Sequence, residues 1–266
     1  MDHFGEPGGL SGASRRELAI LFGDGARTVT VEAAADALNV SPETAARRLS
    51  ALASRGWLGR ICRGMHFAVP VDAQNPAAWT EDSWYLADLV WKPCYIGGWS
   101  AANHWSLTDQ VFRSTIVMMA QRIRRVEQEL AGGPTFLVRH VDPERLTWGL
   151  VGEWRHDRRI LVSTPERTVA DLLSKPALGG GIRHSMEILD SLLADTSVDS
   201  LVEIVKRLGN GAGLKRLGYL LEQLGHSSEA IGQPLTTGVP LLDPALPAVG
   251  PRSPQWCLRV NADVSA

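Results

Sequence analysis

Six side chains between positions 41 and 63 have the types and spacing to hold a polyanion: Ser41, Thr44, Arg47, Arg48, Arg60 and Arg63. A guanidinium is a planar fork that donates paired hydrogen bonds to a phosphate or to the acceptor edge of a guanine, and a hydroxyl adds a short-range contact. With Arg55, five arginines stand between Ser41 and Gly64 against the single acid Glu43, a local balance of +4 in a chain of net charge −2. The remaining residues therefore carry −6, and positive charge is gathered as a phosphate-binding patch requires. Thr44 and Arg47 are assigned to base edges, and Arg48, Arg60 and Arg63 to phosphates. Double-stranded DNA is the expected partner.

Other residue sets fall short of catalysis. None of the four lysines follows a glycine-rich loop, so a Walker A sequence is absent. Leu178-Gly179-Gly180-Gly181 opens a helix without the strand and third spaced glycine of a dinucleotide site, and reads as a loop. Gly98-Trp99-Ser100-Ala101-Ala102 lacks the final glycine of a nucleophile elbow, and no acid is placed to orient His104; Ser100 reads as a helix N-cap. The seven histidines are scattered, without zinc-protease spacing. No lysine has Glu or Asp two residues before it, which disfavours an Asp…Glu-x-Lys nuclease. No catalytic residue, cofactor or metal is expected. Further basic groups could extend a nucleic-acid or acidic-protein surface: Arg122, Arg124 and Arg125; Arg158 and Arg159 with Arg155; and Lys206, Arg207, Lys215 and Arg216 on successive helices.

The elements that must position the first set follow from local rules. Thr30 can cap a helix over Val31–Leu38, an Ala-rich run of high helix propensity that Asn39-Val40 breaks. Ser41 is a good N-cap, with Pro42 at the first helical position, where a missing N–H costs nothing. From Pro42, Ala45, Ala46, Leu49, Leu52 and Ala53 fall within a sector of roughly 120°. The opposite sector carries Glu43, Thr44, Arg47, Arg48, Ser54 and Arg55. Gly56 ends this helix, and Trp57-Leu58 and Phe67-Ala68-Val69 form a hairpin with Arg63-Gly64 at its tip. Two helices and a basic hairpin make a winged helix-turn-helix, whose second helix enters the major groove. Such folds also serve as protein-interaction modules, and a basic helix can be merely solvated.

The whole chain of 266 residues is long enough for a second, larger domain. Its 44% apolar and 21% charged composition is that of a globular protein. No apolar run approaches a bilayer span and the N-terminus lacks the order of a secretory signal. Three scattered cysteines, Cys62, Cys94 and Cys257, suit reduced thiols, so a cytoplasmic location with no membrane partner is expected. Residues 1–13 read as a flexible lead before a helix over Ser14–Phe22, and 71–82 as a linker. Helix Ser83–Trp91, extended Cys94–Ile96 and a short helix after Gly97-Gly98 come next. Strands are then predicted over Ser114–Ala120, Thr135–His140, Trp148–Trp154 and Arg159–Ser163. Helices follow from Thr164-Pro165, over Arg183–Leu193, Val198–Leu208 and Leu214–Leu224, and a last strand over Trp256–Val260 closes a proline- and glycine-rich tail. The expected fold class is α+β. Residues 1–70 form the winged helix, and residues 83–266 a domain with a small, mainly antiparallel sheet and packed helices.

Four segments resemble AbiEi-family antitoxins of type IV toxin–antitoxin systems: Arg63-Gly64-Met65-His66-Phe67-Ala68-Val69-Pro70; Tyr95-Ile96-Gly97-Gly98-Trp99-Ser100-Ala101-Ala102-Asn103-His104-Trp105; Ser163-Thr164-Pro165-Glu166-Arg167-Thr168-Val169-Ala170-Asp171-Leu172; and Leu217-Gly218-Tyr219-Leu220-Leu221-Glu222. They occur in the family's order across most of residues 15–225, and the match fades after Gly232. The resemblance implies an N-terminal domain that binds the protein's own operator and represses its own operon. It also implies a C-terminal domain that counters a nucleotidyltransferase toxin without a tight complex. Two readings stay open beside it: a winged-helix regulator whose second domain senses a ligand in a pocket lined by tryptophans between Trp79 and Trp154, and an enzyme using His104 or His140 in an unrecognised site.

Overall fold

A computed structural model describes residues 11–70, 73, 79–130, 133–232 and 237–264. The chain divides into two compact units, residues 1–86 with 128–135, and residues 87–127 with 136–266. Residues 1–10 of the expected lead, and residues 71–72 and 74–78 of the expected linker, lie outside the described residues.

In the first unit the elements run α1 (Gly12–Phe22), β1 (Thr28–Thr30), α2 (Val31–Leu38), α3 (Pro42–Ser54), β2 (Leu58–Cys62) and β3 (Met65–Ala68). The three strands order β1-β3-β2, antiparallel throughout. This is the winged helix-turn-helix. α1 starts two residues before the expected Ser14, because the Ser11 hydroxyl accepts from the Ser14 N–H and caps it there. The Thr30 and Ser41 hydroxyls cap α2 and α3 as their positions require, accepting from the N–H groups of Ala33 and Thr44. Asn39 turns left-handed between the helices at φ 51°. At the far end of α3, Gly56 N–H bonds Ala53 O and Trp57 N–H bonds Leu52 O, a Schellman closure that aims the chain into the wing. Leu21, Val29, Ala34, Ala35, Ala45, Leu49, Leu52 and Leu58 close the core beneath. β1 is an addition to the sequence reading: three residues are too short a run for alternation to register.

α4 (Ser83–Trp91), β4 (Cys94–Ile96), α5 (Gly98–His104), β5 (Ser114–Met119), β6 (Glu127–Glu129), β7 (Thr135–His140), β8 (Leu150–Arg155) and β9 (Arg158–Ser163) follow. The sheet orders β6-β7-β5-β4-β9-β8. β4 pairs antiparallel with β5 and parallel with β9, and β8 and β9 form a hairpin through His156-Asp157. Helices α6 (Pro165–Ser174), α7 (Ile182–Leu193), α8 (Val198–Leu208) and α9 (Gly211–Gln223) complete an α+β body. They share a core from Tyr95, Ile116 and Met118 on the sheet through Leu172, Leu189 and Leu217 on the helices. On the other face of the sheet, Trp91 of α4 meets Phe136 edge-on at 4.8 Å.

Three local readings are corrected. Gly97, not Ser100, caps α5; Ser100 lies inside the helix, where its hydroxyl accepts the Ile116 N–H at 2.9 Å and ties helix to sheet. β8 begins at Leu150 rather than Trp148, whose ring and carbonyl are engaged by Arg167. α9 begins at Gly211, because Asn210 caps it by accepting from Gly213 N–H.

After α9 the chain is built into the second unit. A short hairpin, β10 (Arg252–Ser253) with β11 (Leu258–Arg259), brings Trp256 onto Gly218, where a methyl group would lie 2.3 Å from the indole. The Asp243 carboxylate accepts from Ile182 N–H at 2.9 Å and caps α7. Among the described residues no helix is long and apolar enough to cross a membrane.

Candidate nucleic-acid interface

The exposed side of α3 is a chain of polar contacts. Ser41 Oγ donates to Thr44 Oγ1 at 3.2 Å, and Arg47 Nη2 donates to the same oxygen at 3.2 Å. Ser41, Thr44 and Arg47 therefore form one row at the helix N-terminus, with Arg47 pre-oriented along it and exposed. Glu43 sits in the same turn, its carboxyl held below the ordinary range by its own backbone N–H and the Ser41 hydroxyl. The apolar side holds the helix in place: Ala45 and Leu49 are fully buried and Leu52 nearly so.

Arg48 and Arg55 point differently. Arg48 Nη1 lies 3.0 Å from Glu17 Oε1 of α1, and Arg55 Nη1 reaches the Ser14 hydroxyl at 3.5 Å. α1 and α3 are thus latched side by side along two successive contacts. The pairing of Arg48 could not be read from α3 alone, because its partner is 31 residues away. Arg15 and Arg16, which follow Ser14 directly, stand exposed and add cations near this contact that the sequence reading passed over.

In the wing, Arg60 is exposed on β2 with Nε on Cys62 O at 3.4 Å, and Arg63 is exposed in the turn with Gly64. Cys62 faces Met65 directly, so the turn has two residues, and Gly64 at φ 80° supplies the positive dihedral such a loop needs. Opposite Arg60 lies His66, buried at 6% exposure with Nδ1 lacking a hydrogen-bond partner; burial and then the Arg60 charge hold its pKa down.

The further basic groups separate. Arg122, Arg124 and Arg125 are exposed between β5 and β6, and Arg159 is exposed beside Trp154. Arg158 is held by Asp88 at 2.9 Å. Lys206 donates to Ala230 O at 2.9 Å, and Arg207 lies over the Trp148 ring at 4.4 Å. Lys215 and Arg216 are not on the surface at all, with 1% and 3% exposure. Lys215 Nζ donates to Gly238 O, and Arg216 binds the carbonyls of Leu173, Ser174, Leu241 and Leu242 at 2.8–3.2 Å. Burial lowers the Arg216 guanidinium to about 10, with Asp243 opposing. These two residues clamp the C-terminal segment; they sit on the inward side of α9, facing carbonyls that only a buried donor can satisfy.

The second unit holds a polar centre that the sequence reading did not single out. Arg167 is fully buried, with Nε on Asp171 Oδ1 at 3.2 Å, Nη2 on Tyr95 Oη at 3.1 Å and Nη1 on Trp148 O at 2.9 Å. Tyr95 Oη donates to Asp171 Oδ2 at 2.9 Å, and the guanidinium lies 4.2 Å from the Trp148 ring centre. Burial raises the Asp171 carboxyl against the pull of Arg167 and Tyr95. With every group engaged inside the protein, the cluster is a fastening between β4, α6 and the segment before β8. His104 lies 3.9 Å from Glu153, and His140 is exposed at the end of β7. Trp99 stacks on Phe112 at 4.3 Å and Trp105 Nε1 donates to Ser163 O. A cavity of about 420 Å³ beside α7 is lined by Arg183, Glu187, Asp190 and Asp263 and by no tryptophan. Among the described residues no cluster of His, Cys, Asp or Glu has the geometry to hold a metal ion.

No protein-family model matches the chain, and no curated protein matches it. The fold is similar to the crystal structure of the RV2827C protein from Mycobacterium tuberculosis, at 22% sequence identity and a TM-score of 0.62 over 92% of this chain and 90% of that one.

Proposed function

We propose that the protein is a cytoplasmic, DNA-binding antitoxin that represses its own operon and counters a nucleotidyltransferase toxin. The observation that carries the DNA half is the Ser41–Thr44–Arg47 row, exposed on a helix whose opposite side is buried, with Arg60 and Arg63 on the adjoining wing. A helix so presented fits the major groove, with its N-terminal residues toward base edges and the wing arginines toward phosphates. The antitoxin half rests on the resemblance of the four sequence segments to AbiEi-family antitoxins.

Electrophoretic shifts with the DNA upstream of the protein's own gene test the first half. Each lost guanidinium contact costs about 1–3 kcal/mol, so Arg47→Ala with Arg48→Ala is expected to weaken binding at least tenfold. Unchanged retention at moderate salt would remove α3 from the interface. Co-expression with the product of a neighbouring nucleotidyltransferase gene tests the second half. Growth is expected to recover with the antitoxin present, and growth arrest in its presence would overturn it.

A further inference from the structure

Arg47 and Arg48 are neighbours in the sequence but are held differently in the structure. Arg47 leans along its own helix toward the Thr44 hydroxyl and is exposed, with Glu43 of the same turn near enough to feel its charge. Arg48 is paired at 3.0 Å with Glu17, the two side chains being 40% and 24% exposed. Glu17 sits on a different element, α1, whose Leu21 enters the same apolar core as Ala45 and Leu49 and whose Ser14 is reached by Arg55. The carboxylate is thus presented from a separate element, and the half-exposed pair opens by rotation of either side chain.

We infer that Glu17 is a specificity-determining residue that restrains Arg48 from phosphates, so that Arg48 joins the interface only when the duplex docks closely enough to displace it. The inference rests on the DNA reading and goes beyond it by assigning a regulating role to an acid on α1. The physical argument is competition. A half-exposed ion pair is a weak contact, weak enough for a well-placed phosphate to exchange with the carboxylate. It is still enough to tax loose, sequence-independent contacts. Loose contacts draw on Arg60 and Arg63, and a closely docked site adds Arg48. Counterion release then makes log K fall with log salt at a slope of about −1.8 for two phosphates and about −2.7 for three.

Retention is measured for four full-length proteins: wild type, Glu17→Gln, Arg48→Ala and the double variant. Each is titrated across salt with the upstream duplex and with an unrelated duplex of equal length. Glu17→Gln is expected to bind the unrelated duplex roughly threefold or more tighter at low salt, with its slope steepened by about 0.9. The preference for the upstream duplex shrinks accordingly. In the Arg48→Ala background the Glu17 substitution is expected to leave the salt slope unchanged, with only the small uniform gain that removing one acid beside a polyanion gives, which separates action through Arg48 from a general loss of structure or of negative charge. Glu17→Gln that matches wild type on both duplexes, or a steepened slope that persists without Arg48, overturns the inference while leaving DNA binding intact. Wild type that retards neither duplex at low salt overturns the DNA reading and the inference with it.

Discussion

Arg167 shows how much one side chain can hold when it is buried with all its donors used. Its partners come from four places: Asp171 one helical turn on, Tyr95 on β4, and the carbonyls of Arg145 and Trp148. Removing the guanidinium would leave the Asp171 carboxylate buried beside one remaining donor, Tyr95 Oη, and two carbonyls without partners. Breaking one side of a buried pair costs about 3–5 kcal/mol, and Arg167→Met is expected to fall in that range by urea denaturation. Tyr95→Phe removes a single hydroxyl and is expected to cost about 1–2 kcal/mol. A methionine variant as stable as wild type would mean that the buried pair adds no net stability to the fold.

Gly218 makes the corresponding argument for elements. It lies on α9 where Trp256 of the C-terminal hairpin presses flat, and a methyl group there would overlap the indole. Overpacking a tight contact costs about 1–3 kcal/mol, most cheaply relieved by lifting the hairpin away. Gly218→Ala is therefore expected to speed tryptic cleavage at Arg252 and Arg259; an unchanged rate would mean the hairpin is anchored elsewhere. The same segment marks where the sequence stopped being readable. Helices α2 and α8 were legible to the residue, and the starts of α3 and α6, because each opens on a Ser or Thr cap, followed in two of them by proline, and keeps one apolar side. The exposed polar side of α3 was legible for the same reason. Lys215 and Arg216 were misread as surface charge because their carbonyl partners are distant in sequence, at Gly238, Leu241 and Leu242 in an irregular segment downstream and at Leu173 and Ser174 upstream. Arg167 and Asp171 have the i, i+4 spacing of an exposed pair, and only Tyr95, contributed from 72 residues upstream, reveals the burial. Local signals carry caps and amphipathic sides; they do not carry which side chain a distant carbonyl will need.

On the scale of the molecule, charge is divided rather than balanced. The chain as a whole is −2, yet the stretch from Ser41 to Gly64 is +4, with Arg15 and Arg16 close in sequence to the Ser14 that Arg55 reaches. At about 0.1 M salt the screening length is about 10 Å, so an approaching polyanion feels the nearby arginines and little of the distant acids. Net charge then predicts the wrong chromatographic behaviour. The intact protein is expected to be retained on heparin at neutral pH and low salt despite a sequence pI near 6.4, and to elute as salt rises. Arg47→Ala with Arg60→Ala and Arg63→Ala is expected to flow through, because none of these three is tied to an acid in the fold and all three are exposed. Loss of the exposed trio Arg122, Arg124 and Arg125 is expected to change elution far less if α3 and the wing are the anion-binding surface. A reversal of that order would move the surface to the segment between β5 and β6 and leave the winged helix as a protein-docking module.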